Sequence, residues 1–292
     1  MSALALVPEQ IGAIPGAASF VDLPPAELLE QVEFYAPKYM GPAPTLEIMA
    51  KMPNLKVCQL LTAGFENALP HLPAGAVLCN AAGVHDTSTA ELAVGLTIAK
   101  LRGLDDFARA MPSGAWIHSG RDALADRNVI VIGAGNIGTA IRNRLLPFEV
   151  NLTMVGRTRR DGVRGIDELP SLLPTAQVVI VVVPLTPATR HLIDDEFLSA
   201  LPDGALVVNV ARGPVADTDA IVRHANRLRF ALDVTDPEPL PADHELWQFP
   251  NVLISPHVGG HSSAFWPRIN ALVARQVAAW HEGRELVNVV SS

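Results

Sequence analysis

Six short apolar runs from Asn128 onward constrain the fold of this chain more than any other feature. They read NVIVIG (128–133), VNLTMVG (150–156), AQVVIVVVP (176–184), ALVVNVA (205–211), LRFALDV (228–234) and NVLISPHV (251–258). They lack the strict apolar/polar alternation of a strand with one face in water, and so read as strands buried on both faces. The spacers between them are long enough for crossover helices. Repeated in this way, the pattern predicts an α/β fold built on a doubly wound parallel sheet.

The first ninety residues are richer in proline and carry weaker signals. EQVEFYAP, LKVCQLL and AVLCNAA read as strands of a second, smaller α/β unit. A helix is expected over 87–104, TSTAELAVGLTIAKLRGL, with Ser/Thr capping candidates and Glu91 at its start. The late stretch AFWPRINALVARQVAAWHEG has apolar residues at helical spacing and is expected to fold back on the first unit. A length of 292 residues fits two domains better than one core.

Charge narrows the classes of function. A formal net charge of −8 argues against broad binding to nucleic acid or anionic membranes, which needs basic surface. Cys58 and Cys79 lie far apart with no CxxC spacing, so they read as two buried thiols, and no metal site is expected. The N-terminus lacks the basic flank and long apolar core of a signal peptide, and the most apolar run, 176–184, is too short to span a bilayer. A cytoplasmic protein is the expectation.

VIVIGAGNIG places Gly133, Gly135 and Gly138 after a strand and at the opening of a helix. Such a turn, with Asn136 and Ile137 between the last two glycines, lets a pyrophosphate approach the backbone and meet the helix N-terminus. The pattern is that of a Rossmann dinucleotide site. The acid that normally holds the ribose 2′-hydroxyl should stand about twenty residues on. That position reads Gly156–Arg157–Thr158–Arg159–Arg160 instead. Arginines and a hydroxyl bind a 2′-phosphate, so NADP(H) is expected over NAD(H), with Arg157, Thr158 and one or both of Arg159 and Arg160 around the phosphate.

Ligands of open α/β sheets bind beyond the carboxyl ends of the strands. Three runs end there in polar residues: Arg212 after LVVNVA, Asp233 and Glu238 in ALDVTDPEPL, and His257 in LISPHVGG. Reduction of a 2-oxo acid needs this set. An imidazole supplies the proton, a carboxylate orients it, and a planar guanidinium binds the carboxylate and polarised carbonyl. For the other eight histidines, including His85 and His261, surface or structural roles are expected.

Taken together, LKVCQLLTAGFENA, TAELAVGLTIA, VIGAGNIG, VPLTPATRHLI, VNVARGPVADTDA, ALDVTDPEPLP and NVLISPHVGG resemble, in order, the D-isomer-specific 2-hydroxyacid dehydrogenases. LDVTDPEPLP with GRTRR is most similar to their glyoxylate/hydroxypyruvate reductase branch, which implies reduction with NADPH. The resemblance implies Arg212, Glu238 and His257 as the catalytic set and Asp233 at the nicotinamide end of the cofactor. It also implies Pro184, Val210 and Gly260 as cofactor-lining positions, and Ala63 and Gly64 as the loop whose N–H groups hold the substrate carboxylate. It implies a homodimer and a dinucleotide-binding domain (91–262) inserted into a flavodoxin-like substrate domain (1–90 plus 263–292), with a closing cleft. Three departures stand out: a poor match over the first fifty residues, WIHSGRDALADRN before the first cofactor strand, and HSSAFW, with His261 and Trp266, after His257. Phosphite oxidation uses the same residue types, and the C-terminal-binding corepressors share the fold as dinucleotide-sensing interaction proteins. Glu238 speaks against formate dehydrogenase, which has a Gln there.

Overall fold

A computed structural model describes residues 4–291. Residues 1–3 and 292, which the expected substrate domain also includes, lie outside the described residues. In chain order the strands are β1 (Leu4–Pro8), β2 (Ala18–Phe20), β3 (Val32–Tyr35), β4 (Val57–Gln59), β5 (Val77–Cys79), β6 (Asn128–Ile132) and β7 (Asn151–Gly156). They continue with β8 (Arg164–Gly165), β9 (Val178–Val181), β10 (Leu206–Asn209), β11 (Arg229–Leu232), β12 (Val252–Ile254) and β13 (Val289–Ser291). The chain forms two compact units, one of Met1–His85 with His261–Ser292 and one of Asp86–Gly260.

The unit Asp86–Gly260 holds a seven-stranded sheet in the order β12-β11-β10-β9-β6-β7-β8. Its pairings are parallel. The reason the runs lack alternation is visible in the core. Ile130, Ile132, Val179, Val181 and Phe230 pack on one face, while Val129, Val131, Val178, Ile180 and Ala231 pack on the other. Each fully buried Val or Ile stabilises by about 1.5–3 kcal/mol, so a polar residue is costly at either parity. The strand order reverses between β6 and β9, which puts a crevice at their carboxyl ends.

Local detail departs from the sequence reading in three places, the first being the edge strand β8, whose two residues carry no apolar run to reveal it. The run 176–184 forms a strand only over β9, and Val182 and Val183 continue beyond it as half-buried packing. The long helix spans Asp86–Arg102, starting one residue and ending two residues earlier than expected. Ser88 and Thr89 are therefore buried within its first turns.

The other unit carries a six-stranded sheet in the order β13-β5-β4-β3-β1-β2, parallel except for β13, which runs antiparallel to β5. Strands β1 and β2 were not foreseen, because they are short and separated by proline- and glycine-containing turns that mask their pattern. The helix Phe265–His281 buries Phe265, Ile269, Leu272, Val273 and Val277 against Ala5, Val7 and Phe34. That 4-3-1-4 spacing is a single helical face. Cys58 and Cys79 are free and buried, in cores on opposite faces of the sheet.

Candidate active site

The glycine turn leaves β6 with its backbone fixed: Gly133 N–H donates to Val155 O at 2.8 Å. Gly133 has φ +119°, and a Cβ there would lie 2.2 Å from Val182 O. At Gly138 a Cβ would fall 1.7 Å from Gly133 O, so the helix Asn136–Leu145 packs on the turn only because that residue is glycine. Gly135, the N-cap, differs: a Cβ there would meet nothing within 4 Å. It faces open space beside the exposed Asn136 and half-buried Ile137. Two glycines shape the turn and the third leaves an approach to its backbone, which fits a dinucleotide pyrophosphate.

The arginine segment follows β7, and residues 157–160 are all exposed. Arg157 forms no hydrogen bond or ion pair among the described residues. Arg159 lies 3.9 Å from Glu168, which also holds Arg164 at 3.0 Å. The Gly165 N–H, then Arg164 and Arg159, hold the Glu168 carboxyl below the usual carboxylate range. Arg160 turns back on the glycine turn, where Nη2 donates to Ala134 O at 2.7 Å. No carboxylate occupies the end of β7.

Arg212, Asp233, Glu238 and His257 lie past the ends of β10, β11 and β12, which are adjacent strands of one sheet. His257 Nδ1 is 2.5 Å from Glu238 Oε1. An ionised carboxylate only accepts, so Nδ1 carries the hydrogen, and Nε2 makes no hydrogen bond among the described residues. His257 sits at φ +51°, a left-handed conformation that non-glycine residues seldom hold without support. Asp233 supplies that support. Its backbone O accepts from His257 N at 2.8 Å. Its carboxylate, 3% exposed, accepts from Ser255 Oγ, Val258 N and Gly259 N at 2.6, 3.0 and 2.8 Å. The side chain expected at the nicotinamide end of a cofactor is thus engaged in holding the histidine turn.

Arg212 is half-buried and forms no ion pair among the described residues; its Nη1 donates to Ala211 O at 2.6 Å. Gly213 brings its loop against the one carrying Glu238, since a Cβ there would lie 1.8 Å from Thr235 O. Val210 is buried, Pro184 exposed and Gly260 half-buried, each just past β10, β9 and β12 respectively.

Ala63 and Gly64 belong to the other unit, in the loop after β4. Ala63 O accepts from Asn80 Nδ2 at 2.8 Å and Gly64 O from Thr62 Oγ1 at 2.7 Å. His261 and Trp266 join Tyr39, His85 and Phe265 in an aromatic cluster there, with His85 stacked 5.0 Å from Phe265 and His261 edge-on to Tyr39 at 5.7 Å. His85 Nε2 pairs with Leu61 O at 3.1 Å, the satisfied structural role expected of a buried histidine.

Sequence reasoning missed two supporting residues. Asn209 is fully buried, accepts from Ala211 N at 3.0 Å and donates to Arg212 O at 3.3 Å, shaping the arginine turn. Ser255 ties the histidine turn to Asp233. The signal was present for both: a lone polar residue inside or at the end of an apolar run buried on both faces needs an internal partner.

Comparison with known proteins places this geometry. The model of the D-isomer specific 2-hydroxyacid dehydrogenase NAD binding domain matches residues 94–259. A glyoxylate reductase of Thermofilum pendens is 32% identical over 255 residues, covering 81% of this chain and 75% of that protein. One from Thermococcus onnurineus is 31% identical, covering 83% and 80%. The crystal structure of a D-isomer specific 2-hydroxyacid dehydrogenase from Xanthobacter autotrophicus in complex with NADPH and MES superposes with a TM-score of 0.81 at 26% identity, over 99% of this chain and 98% of that one.

Proposed function

The chain belongs to the D-isomer-specific 2-hydroxyacid dehydrogenases, NAD(P)-dependent oxidoreductases, and from that premise we propose that it reduces a small 2-oxo acid of the glyoxylate or hydroxypyruvate type to the D-2-hydroxy acid, with NADPH preferred over NADH. One observation carries the reading. A Glu238–His257 pair with Nε2 free of protein partners stands on the same sheet rim as a half-buried arginine without a carboxylate partner. The cofactor supplies a hydride for the carbonyl carbon when bound to the glycine turn. Arg212 binds the substrate carboxylate and polarises the carbonyl. His257 Nε2 gives its proton to the carbonyl oxygen, while Glu238 orients the ring and stabilises the imidazolium that makes the transfer. Asp233 keeps the histidine turn in place. The unit Asp86–Gly260 takes the dinucleotide role, with Arg157 and Thr158 toward the 2′-phosphate, in keeping with the NADPH complex of the Xanthobacter relative.

The same unit exposes Trp116 (93%), Met111 (77%) and Ile117 (44%) on one segment, which supports a homodimer formed through this unit. Glutamate at Trp116 should then halve the mass measured by light scattering. The test of the reaction is NADPH consumption with glyoxylate, hydroxypyruvate, pyruvate and bulkier 2-oxo acids. Turnover of one of them, lost in His257→Ala, is the expected result; a fully active variant refutes the assignment.

A further inference from the structure

The three arginines after β7 do not stand in equivalent surroundings. Arg160 is held by its backbone: its N–H donates to Val163 O and Val163 N–H returns to Arg160 O, both at 3.0 Å, around a tight turn with Gly162 at φ +68°. From there the side chain runs back over Gly156. A Cβ at Gly156 would lie 3.2 Å from Arg160 Nη1 and 3.0 Å from Val163 Cγ1, so the absence of a side chain at the end of β7 makes room for the guanidinium. The guanidinium ends on Ala134 O, the carbonyl between Gly133 and Gly135. Arg157, by contrast, has no protein partner among the described residues, and Arg159 is shared with Glu168 at 3.9 Å.

We infer that Arg160 is a positioning residue for the glycine turn, bracing the backbone that receives the pyrophosphate, and that discrimination between NADPH and NADH rests on Arg157 instead. The inference rests on the dinucleotide reading of this turn. Its physical content is that the pyrophosphate is common to both cofactors whereas the 2′-phosphate belongs to one. A charge-assisted bond that fixes the Ala134 carbonyl, and a positive charge beside the turn, act on both cofactors alike. A guanidinium with no protein partner is free to bind the additional phosphate.

The test is direct binding, measured by calorimetric titration of the purified protein with NADPH and with NADH, without substrate. In Arg160→Ala both dissociation constants should rise by a common factor of about 5 to 10, leaving their ratio within about twofold of the parent, and Arg160→Lys, which keeps charge but not the planar fork, should recover part of the loss. In Arg157→Ala the NADPH constant should rise about tenfold or more with NADH within about twofold. If Arg160→Ala weakens NADPH alone, Arg160 is a phosphate ligand and the inference is overturned while the dinucleotide reading stands. An Arg160→Ala protein that binds both cofactors like the parent overturns it as well. Failure of the parent to bind either cofactor refutes the dinucleotide reading and the inference with it.

Discussion

Two contacts between a basic and an acidic side chain flank β12, one at each end, and they are built to opposite specifications. Before the strand, Lys100, Asp105 and Arg109 form a network: Lys100 Nζ reaches Asp105 Oδ2 and Pro250 O, both at 2.7 Å, and Arg109 reaches Asp105 at 2.9 Å. Lys100 and Asp105 are almost fully buried. After the strand, His257 and Glu238 are as close but remain about a third exposed. In the buried network both cations share Asp105 Oδ2, while Oδ1, without a partner among the described residues, is sealed from solvent, so the network is closed to a reactant and holds structure. The pair on the rim leaves one nitrogen without a partner and open to a reactant. Similar pairing at the two ends of one strand therefore serves anchoring at one and chemistry at the other, and burial decides which.

The comparison can be broken most severely at His257. His257→Ala should lower kcat by about 100- to 10,000-fold with the melting temperature nearly unchanged. A large fall in stability with modest loss of rate would make the rim pair structural. The reverse is expected at the buried end. Asp105→Ala leaves Lys100 buried and unpaired, which should cost about 3–5 kcal/mol in denaturant unfolding with kcat retained in the protein that stays folded.

Acid should separate the two ends further. Burial alone would raise the Asp105 pKa, but Lys100 and Arg109 outweigh it and hold the carboxyl below the ordinary range. A depressed folded pKa contributes stability that is present above the unfolded value and lost as the pH falls through the folded one. Unfolding measured below about pH 4 should accordingly lose this contribution in the parent, whereas Asp105→Asn shows a flatter acid dependence from a lower starting stability.

Asp233→Asn sharpens the comparison from the middle. It removes charge from a carboxylate that accepts three hydrogen bonds, and should cost about 1–3 kcal/mol together with a loss of rate, because the same turn carries the histidine. Stability lost without any change in kcat would show that the turn does not position His257. The smallest effect belongs to the exposed pair Glu91–Arg144, 3.7 Å apart, where Glu91→Ala should leave rate and melting temperature within error.

Much of this was legible in the chain itself, and for identifiable reasons. The runs of β6, β7 and β9 to β12 were readable because strands covered on both faces must be apolar at nearly every position, a pattern few other structures require, whereas the two-residue edge strand β8, Arg164–Gly165, carries no such run. Strands β1 and β2 were obscured because they are short and interrupted by turns. Arg212, Glu238 and His257 could be named because each follows the end of a readable strand. That the Asp233 carboxylate ties down the histidine turn could not be read, since the three donors that reach it come from residues more than twenty positions away. The same holds for the unequal arginines, adjacent in sequence but separated in role by a contact from Arg160 to Ala134 across 26 residues.

The sequence by itself determined the parallel sheet, the glycine turn and the kinds of side chain at its rim, because periodicity, backbone freedom and charge are local properties. Tertiary structure decided which charge is spent on the protein and which is left for a ligand. That depends on distance and burial between residues far apart in the chain, and no local pattern encodes it.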